Sequence, residues 1–111
     1  MKSEFESRVQ TRRKILTLRE QILAHCYIYY HLGDSIIEDW EYDNLGRKHG
    51  AYEESCPLEC REAPYSEMFK DFGVKKDGSA CYSGGHFPFY AEKEMFEGLV
   101  KKHFPDFQPV S

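Results

Sequence analysis

The sequence has no long apolar run. No stretch approaches the ~20 consecutive apolar residues that are needed to cross a bilayer, and no signal-peptide core follows Met1. There is also no internal repeat and no low-complexity segment. These absences argue against a membrane partner and predict a soluble protein of the cytoplasm.

The chain is also short, and it has fewer basic than acidic residues. Its 111 residues predict a single domain, 1–111, because that length supports one modest hydrophobic core. Fifteen Lys and Arg residues against 19 Asp and Glu residues give a net charge of −4, which does not favour general binding to a nucleic-acid backbone. We expect the basic residues of the first helix to lie mostly on a solvated face. They are Arg8, Arg12, Arg13, Lys14 and Arg19.

Hydrophobic spacing predicts a mainly α-helical fold that begins with a helical hairpin. The first helix starts at a capping box formed by Ser3 and Glu6 and is stopped by Gly33. The second is predicted over Glu38–Ser55, with Pro57 ending it. The apolar stripe of the first helix consists of Phe5, Val9, Leu16, Ile22, Leu23, Cys26 and Tyr30. The core-facing residues of the second are expected to be Trp40, Leu45 and Tyr52.

Shorter elements are predicted in the second half of the chain. We expect one or two short helices there: one over Ser66–Phe72, capped by Gly73, and a last one from about Ala91 to His103. Between them, Val74–Tyr90 is rich in glycine and aromatic residues and contains Asp-Gly and Gly-Gly turn signals, so it predicts a loop or a small hairpin. The last helix is expected to bury Met95, Phe96, Leu99 and Val100.

The most informative segment is His25–Asp43, where aromatic rings and carboxylates are concentrated at helical spacing. Two helices that meet at Gly33-Asp34-Ser35 would bring five of these side chains together. Phenol faces attract a delocalised cationic ring, and carboxylates accept hydrogen bonds from ribose hydroxyls. The pattern therefore predicts a pocket for a flat cation, lined by Tyr29, Tyr30, Asp39, Tyr42 and Asp43.

These residues also resemble a known family. The order Tyr29-Tyr30, Ile37-Glu38-Asp39, Glu41-Tyr42-Asp43 and Leu45 is similar to the small N-terminal helical subdomain of bacterial NAD-dependent DNA ligases. The resemblance covers about residues 13–58 and leaves 59–111 as a C-terminal extension. It implies that the chain holds the nicotinamide mononucleotide half of NAD. It also implies ring-stacking and ribose-contacting roles for the five residues of the predicted pocket.

The resemblance implies a binding protein rather than an enzyme. Lys75-Lys76-Asp77-Gly78 contains the string that in ligases supplies the lysine that accepts AMP, but the domain that activates this lysine is larger than the whole chain. We interpret the string as a surface turn. The expected function is non-enzymatic binding of NAD, nicotinamide mononucleotide or an NAD-derived nucleotide. Similarity to small ligase-related proteins of phages and Gram-positive bacteria implies sequestration of such a nucleotide, as in anti-defence in the host cytoplasm, or assistance to a nucleotide enzyme.

Two alternatives stay open at this point. The tyrosines and aspartates are also typical of ordinary core packing and helix-end charge. The chain would then be a protein-interaction module, such as an inhibitor of a host nuclease or defence protein, whose acidic patch meets a basic partner. That patch contains Glu38, Asp39, Glu41, Asp43, Glu53 and Glu54. A weaker alternative is an auxiliary ligase fragment that contacts DNA through Arg12, Arg13 and Arg19.

Three cysteines and a histidine raise the question of a metal. Cys56, Cys60, Cys81 and His86 supply ligands that suit tetrahedral zinc, but their spacing is looser than in zinc ribbons, so free cysteines are favoured. A disulfide is not expected without a secretion signal. Cys26 is interpreted as a small core residue, and His25 and His31 suggest no catalytic role. A last aromatic cluster either extends the pocket wall or, as we favour, completes the core. It consists of Tyr82, His86, Phe87, Phe89 and Tyr90.

Overall fold

The structure, a computed structural model, describes residues 4–69, 72–74, 80–81 and 87–107. A long first helix continues into a π turn, and three shorter helices and a two-stranded hairpin follow it. The elements are α1 (Glu4–Cys26), the π turn (Tyr27–His31), α2 (Asp39–Ser55), α3 (Pro57–Glu62), β1 (Gly73–Val74), β2 (Ala80–Cys81) and α4 (Lys93–His103). The two strands pair antiparallel, with Gly73 opposite Cys81. The predicted mainly α-helical fold with a small hairpin is confirmed.

Gly33 stops the first helical segment, as predicted. Its φ of +72° is left-handed, a conformation that glycine adopts at little cost. On either side of Gly33, the Leu32 N–H donates to the Tyr27 carbonyl (3.1 Å) and the Asp34 N–H donates to the Ile28 carbonyl (3.0 Å). These bonds close the π turn, a widened helical turn that is frequent at functional sites. The predicted capping box lies outside what the structure describes, because Ser3 and the side chain of Glu6 are not included.

The boundaries of α2 agree with the prediction to within one residue, whereas the segment from Pro57 to Phe72 differs from it. The predicted helix over Ser66–Phe72 is wrong: the described part of this segment forms turns. Two backbone carbonyls just before it, of Ala63 and Pro64, accept hydrogen bonds from the Arg19 guanidinium (3.2 and 3.0 Å). An unpredicted helix, α3, begins at Pro57, because proline at the first helical position has a suitable φ and no N–H to leave unpaired.

The main core surrounds α1, and α4 and α2 pack against it. Ile22, Leu23 and Phe96 have no exposed side-chain surface. The prediction for α4 is confirmed, since Phe96, Leu99 and Val100 are buried and Met95 packs against the same core. The aromatic cluster predicted before α4 is described only in part. Phe87 and Phe89 complete the core, Tyr90 is 87% exposed, and Tyr82 and His86 lie outside the described residues.

Four predicted core residues lie outside the core, namely Val9, Leu16, Tyr30 and Trp40, and the side chain of a fifth, Phe5, is outside the described residues. Trp40 is 64% exposed. The inner face of α2 is formed by Tyr42, Leu45, His49 and Tyr52. A residue two positions before Tyr42 lies on the opposite side of a helix with 3.6 residues per turn. On α1, Leu16 is only partly buried, and Ile15 and Leu18 occupy the core positions instead.

Arg19 lies inside the protein and not on the basic surface of α1. It is 2% exposed, its Nε donates to His49 Nε2 at 2.9 Å, and its guanidinium lies over the Phe69 ring. Because a guanidinium only donates, His49 Nε2 must accept, so Nδ1 carries the proton. Nδ1 lies 3.0 Å from Glu53 Oε1 but is not aligned for a hydrogen bond to it. The expectation that Arg19 lies on a solvated face is therefore wrong, and the weaker alternative loses Arg19 as a contact with DNA. Arg19 instead fixes the turn after α3 against α1 and α2.

Two other basic residues of α1 hold α3. Arg8 Nε lies 3.1 Å from Glu59 Oε1, and Arg12 Nη1 lies 2.9 Å from Glu62 Oε2. Arg8 also pairs with Glu62. These side chains are partly exposed, so each pair contributes little on its own. Arg8 and Arg12 therefore pair with carboxylates of α3, which explains these two basic residues without a nucleic-acid partner.

Candidate functional site

A cavity of about 330 Å³ opens where the π turn, the loop 33–38 and the start of α2 meet. The structure brings all five residues of the predicted pocket to its wall. Tyr29 and Tyr30 come from the π turn, and Asp39, Tyr42 and Asp43 come from one face of α2. This convergence follows from two local patterns, the adjacent tyrosines at the end of one helix and the i, i+3, i+4 spacing at the start of the next.

Two of the three tyrosines of the π turn, Tyr29 and Tyr30, line the cavity and are partly exposed to solvent. Tyr29 is 55% exposed and Tyr30 is 43% exposed. Their rings are nearly perpendicular, with centroids 4.9 Å apart. Tyr30 is supported from behind by Phe89, whose ring is nearly parallel to it at 6.4 Å and is itself buried. The cavity therefore offers aromatic faces that are accessible to a ligand but are held in place by the core.

The floor of the cavity is electrically neutral. Cys26 Sγ lies 3.1 Å from the Tyr42 hydroxyl, and both residues line the cavity. Burial raises the pKa of the Cys26 thiol to about 12. Burial and then the nearby thiol raise the pKa of Tyr42 as well. The thiol therefore stays protonated at neutral pH and offers no thiolate nucleophile. Its position in the core agrees with the sequence-based interpretation.

Three carboxylates also line the cavity, beside Tyr42 at the start of α2. Asp39 and Asp43 are one helical turn apart on α2, and Glu38 immediately precedes the helix. The Glu38 carbonyl accepts hydrogen bonds from the N–H groups of Glu41 (3.0 Å) and Tyr42 (3.1 Å), and this fixes the start of α2. Glu38 and Asp39 are exposed and Asp43 is half-buried. These oxygens are placed to accept hydrogen bonds from hydroxyl groups of a ligand.

His25 also lines the cavity, a role that the sequence interpretation missed. Its ring is buried against Phe104, with centroids 4.5 Å apart. Burial, and then the charge of nearby His103, lower the pKa of His25 to about 4. The imidazole is therefore neutral at neutral pH. Helical spacing was the signal that could have found His25 and Cys26, because they lie four and three residues before Tyr29 on the same side of the first helical segment.

The loop between the two helices completes the wall. Ser35, Ile36 and Ile37 line the cavity, and Ile36 is 41% exposed. The Ser35 N–H donates to Asp34 Oδ1, and the Ser35 hydroxyl donates to the Ile37 carbonyl, both at 2.7 Å. These local bonds give a short irregular segment a defined shape. Sequence reasoning placed the turn correctly but did not assign its side chains to the pocket.

The other candidate sites lie elsewhere in the chain. Cys56 immediately precedes α3, and Cys60 lies within it. The side chain of Cys81 and all of His86 lie outside the described residues. Within the described part of the chain, no three His, Cys, Asp or Glu side chains are grouped as a metal site requires. The Lys75–Gly78 string also lies outside that part. None of the described helices combines the length and the apolar character of a membrane span.

Comparison with known families gives one match. A family model described as "DNA ligase-like, N-terminal NAD+-binding domain" matches residues 8–64, about half of the chain. The matched segment contains every residue that lines the cavity. No curated protein matches the chain. No solved structure matches it either.

Proposed function

Because this chain belongs to the family of DNA ligase-like, N-terminal NAD+-binding domains, we propose that it binds a nicotinamide nucleotide in the cavity described above and does not react with it. The observation that carries the proposal is the convergence of Tyr29, Tyr30, Asp39, Tyr42 and Asp43 on one cavity. Its volume of about 330 Å³ lies near the lower end of the range for small-molecule sites. This size favours the nicotinamide mononucleotide half of NAD over the whole dinucleotide.

Each group of side chains has a separate role in this proposal. The exposed faces of Tyr29 and Tyr30 stack against the pyridinium ring, an attraction worth about 0.5–2 kcal/mol. Asp39 and Asp43 accept hydrogen bonds from the ribose hydroxyls. Tyr42, bonded to Cys26, forms the floor and keeps α2 at a fixed distance from α1. The ligand is then held by stacking and hydrogen bonds, without a covalent bond to the protein.

Binding without reaction is supported by the chemistry of the lining. Attack on the nicotinamide ribose or on the pyrophosphate of NAD needs an activated nucleophile or a suitable acid. Neither the thiol nor the imidazole of the lining is activated, because the buried Cys26 thiol is protonated and His25 is neutral and packed against Phe104. We assign the carboxylates of the lining to hydrogen bonds with the ribose. Such a protein suits sequestration of a nucleotide or its delivery to an enzyme.

A thermal-shift series tests the proposal directly. NAD+ and nicotinamide mononucleotide, each at a hundred times its dissociation constant, should stabilise the protein by about 2.7 kcal/mol. ADP-ribose, which lacks the nicotinamide ring, should give a much smaller shift at the same concentration. Mass spectrometry of the complex after denaturation should recover intact NAD+ and unmodified protein. Equal shifts with ADP-ribose, or no shift with any nicotinamide ligand, would contradict the proposed site.

A further inference from the structure

A second cavity, of about 630 Å³, is lined by residues of α1, α2, α3 and the turn that follows α3. We call it the Arg19 pocket. It shares no lining residue with the cavity of the proposed nicotinamide site. Its volume lies within the range of small-molecule sites. The residues of its lining that carry chemistry are Arg19, Glu53, Arg61, Ser66, Glu67 and Phe69.

Arg19 has one donor nitrogen that no part of the described chain uses. Its Nε donates to His49 Nε2 at 2.9 Å, and its Nη1 donates to the carbonyls of Ala63 and Pro64. The other terminal nitrogen, Nη2, donates to none of the described residues and is not sealed from solvent. Because Arg19 is only 2% exposed and lines the pocket, a partner for Nη2 has to enter the pocket.

The charge of Arg19 is also left without a counter-ion. No carboxylate of the described residues forms an ion pair with it. Burial lowers the pKa of Arg19, and the nearby Cys60 and Glu53 oppose this only in part. A buried charge is normally paired, because leaving it unpaired costs free energy. An anion in the pocket would supply the missing charge.

Two more donors line the same pocket. Arg61 is exposed and forms no ion pair with the described residues. Ser66 is half-buried, and within the described part of the chain its hydroxyl makes no hydrogen bond. Together with Nη2 of Arg19, the pocket therefore offers donors from three separate side chains.

Two carboxylates of the lining oppose an anion only weakly. The Glu53 side chain is 41% exposed, with Oε1 beside His49 Nδ1, and Glu67 is exposed. Neither forms an ion pair with Arg19 or Arg61. Water screens exposed carboxylates more strongly than it screens a buried guanidinium. An anion therefore gains more from Arg19 than it loses to these two side chains.

The arrangement of donors favours phosphate over carboxylate. A carboxylate binds arginine best through two parallel bonds from neighbouring nitrogens. Arg19 cannot form this pair of bonds, because its Nε and Nη1 are already occupied. A phosphate group has three acceptor oxygens, so it can accept from donors on separate side chains.

We propose that the Arg19 pocket binds the phosphate group of a small molecule through Nη2 of Arg19, the Arg61 guanidinium and the Ser66 hydroxyl. This inference goes beyond the proposed function, because it concerns a separate cavity. Bound phosphate would neutralise the buried charge of Arg19 and stabilise the turn after α3. The apolar Phe69 ring in the lining is available to the organic part of a phosphate ester.

Calorimetry on the full chain at constant ionic strength tests the choice of ligand. The probes are inorganic phosphate, phenyl phosphate and isophthalate, an aromatic dicarboxylate that matches the charge of phenyl phosphate. We expect phenyl phosphate to bind about tenfold more tightly than isophthalate. Tighter binding of phenyl phosphate than of inorganic phosphate would identify a phosphate ester as the ligand, and equal affinity would identify free phosphate. Equal affinity for isophthalate and phenyl phosphate, or no binding of either phosphate probe, would overturn the inference.

Matched variants assign the binding to the pocket. Arg61→Gln should weaken binding of phenyl phosphate about tenfold, and Ser66→Ala should weaken it by a smaller factor. Arg13→Gln, at an exposed position of α1 that does not line the pocket, should leave the affinity unchanged. Circular dichroism checks that each variant is folded. An equal loss in Arg13→Gln and Arg61→Gln would show a general attraction of anions and would overturn the inference.

Nuclear magnetic resonance locates the ligand without any substitution. Addition of phenyl phosphate should shift the backbone amide signals of Arg61, Ser66 and Phe69 and leave those of Tyr29 and Tyr30 in place. Shifts at Tyr29 and Tyr30 alone would place the phosphate probe in the other cavity and would contradict a phosphate site at Arg19.

Discussion

The ring of Tyr30 is nearly parallel to that of Phe89, at an angle of 18° and with 6.4 Å between centroids. Tyr30 lies at the cavity mouth, whereas Phe89 is 7% exposed and packs on Phe96 of α4 at 4.9 Å. The family match ends at residue 64, so the support for this pocket wall comes from the part of the chain beyond the matched segment. The C-terminal part therefore helps to hold the cavity in shape.

Substitutions in the cavity should remove ligand binding and leave the fold intact. Tyr30→Ala and Asp43→Ala should each weaken nicotinamide mononucleotide binding by about 1–3 kcal/mol, through loss of stacking and of a hydrogen-bond acceptor respectively. Calorimetry measures the affinity, and circular dichroism checks the fold. Tyr90→Ala is the matched control, because Tyr90 is 87% exposed and does not line the cavity. Undiminished affinity in both cavity variants would contradict the assignment of the cavity as the nucleotide-binding site.

The buried histidine predicts a specific loss of stability in acid. The pKa of His25 is about 4 in the folded protein, against about 6.5 in an exposed histidine. The unfolded chain therefore binds the proton more readily than the folded protein does. The part of the free energy of unfolding that depends on a neutral His25 is fully present above about pH 6.5 and is lost as the pH falls towards 4. The expected loss is of the order of 3 kcal/mol. Urea denaturation at several pH values measures it.

His25→Gln is the control for that pH dependence. It should flatten the stability curve between pH 4 and 6.5. Burial alone would raise the pKa of Glu20, but the hydrogen bonds from Lys102 and His103 and the charges of these two residues together hold that pKa below its ordinary value. Its contribution is lost only at lower pH and should remain in the variant. If the free energy of unfolding of His25→Gln changes with pH between 4 and 6.5 as steeply as that of the unmodified protein, a group other than His25 causes the loss of stability in acid.

Arg19 should be essential for stability and irrelevant to nucleic acid. Arg19→Ala leaves His49 Nε2 and the Ala63 and Pro64 carbonyls without their donor, and we expect a loss of about 3 kcal/mol or more. Arg13→Ala, at an exposed position on the same helix, should change stability by less than about 0.5 kcal/mol. Chemical denaturation gives both values. A stability loss as small as that of Arg13→Ala would contradict the buried role of Arg19.

Two glycines should respond in opposite directions to alanine. At Gly33, with φ of +72° and no atom within 4 Å of an added Cβ, alanine should destabilise by about 1 kcal/mol through backbone strain alone. At Gly50, inside α2 and equally free of contacts, alanine should stabilise by about 0.5–1 kcal/mol. Thermal denaturation compares the two variants. Stabilisation by Gly33→Ala would mean that the left-handed turn is not required.

Local sequence patterns determined the two helices of the hairpin and five residues of the cavity. The adjacent tyrosines and the Asp39-Tyr42-Asp43 spacing are fixed by helical geometry within a few residues. Gly33 likewise determined where the first helix stops, because its left-handed backbone is a property of the residue itself. The same short-range reasoning placed α4 and its buried residues.

Only the tertiary structure decided which side chains are buried and what surrounds the cavity. Arg19 is enclosed by His49 and the turn after α3, and Tyr30 is supported by Phe89, in both cases by residues 30 or more positions away. His25 is neutral because α4 brings Phe104 and His103 against it. Trp40 is exposed because α2 turns its Tyr42 face towards the core. Burial depends on such distant contacts, so the spacing of residues within one helix does not determine it.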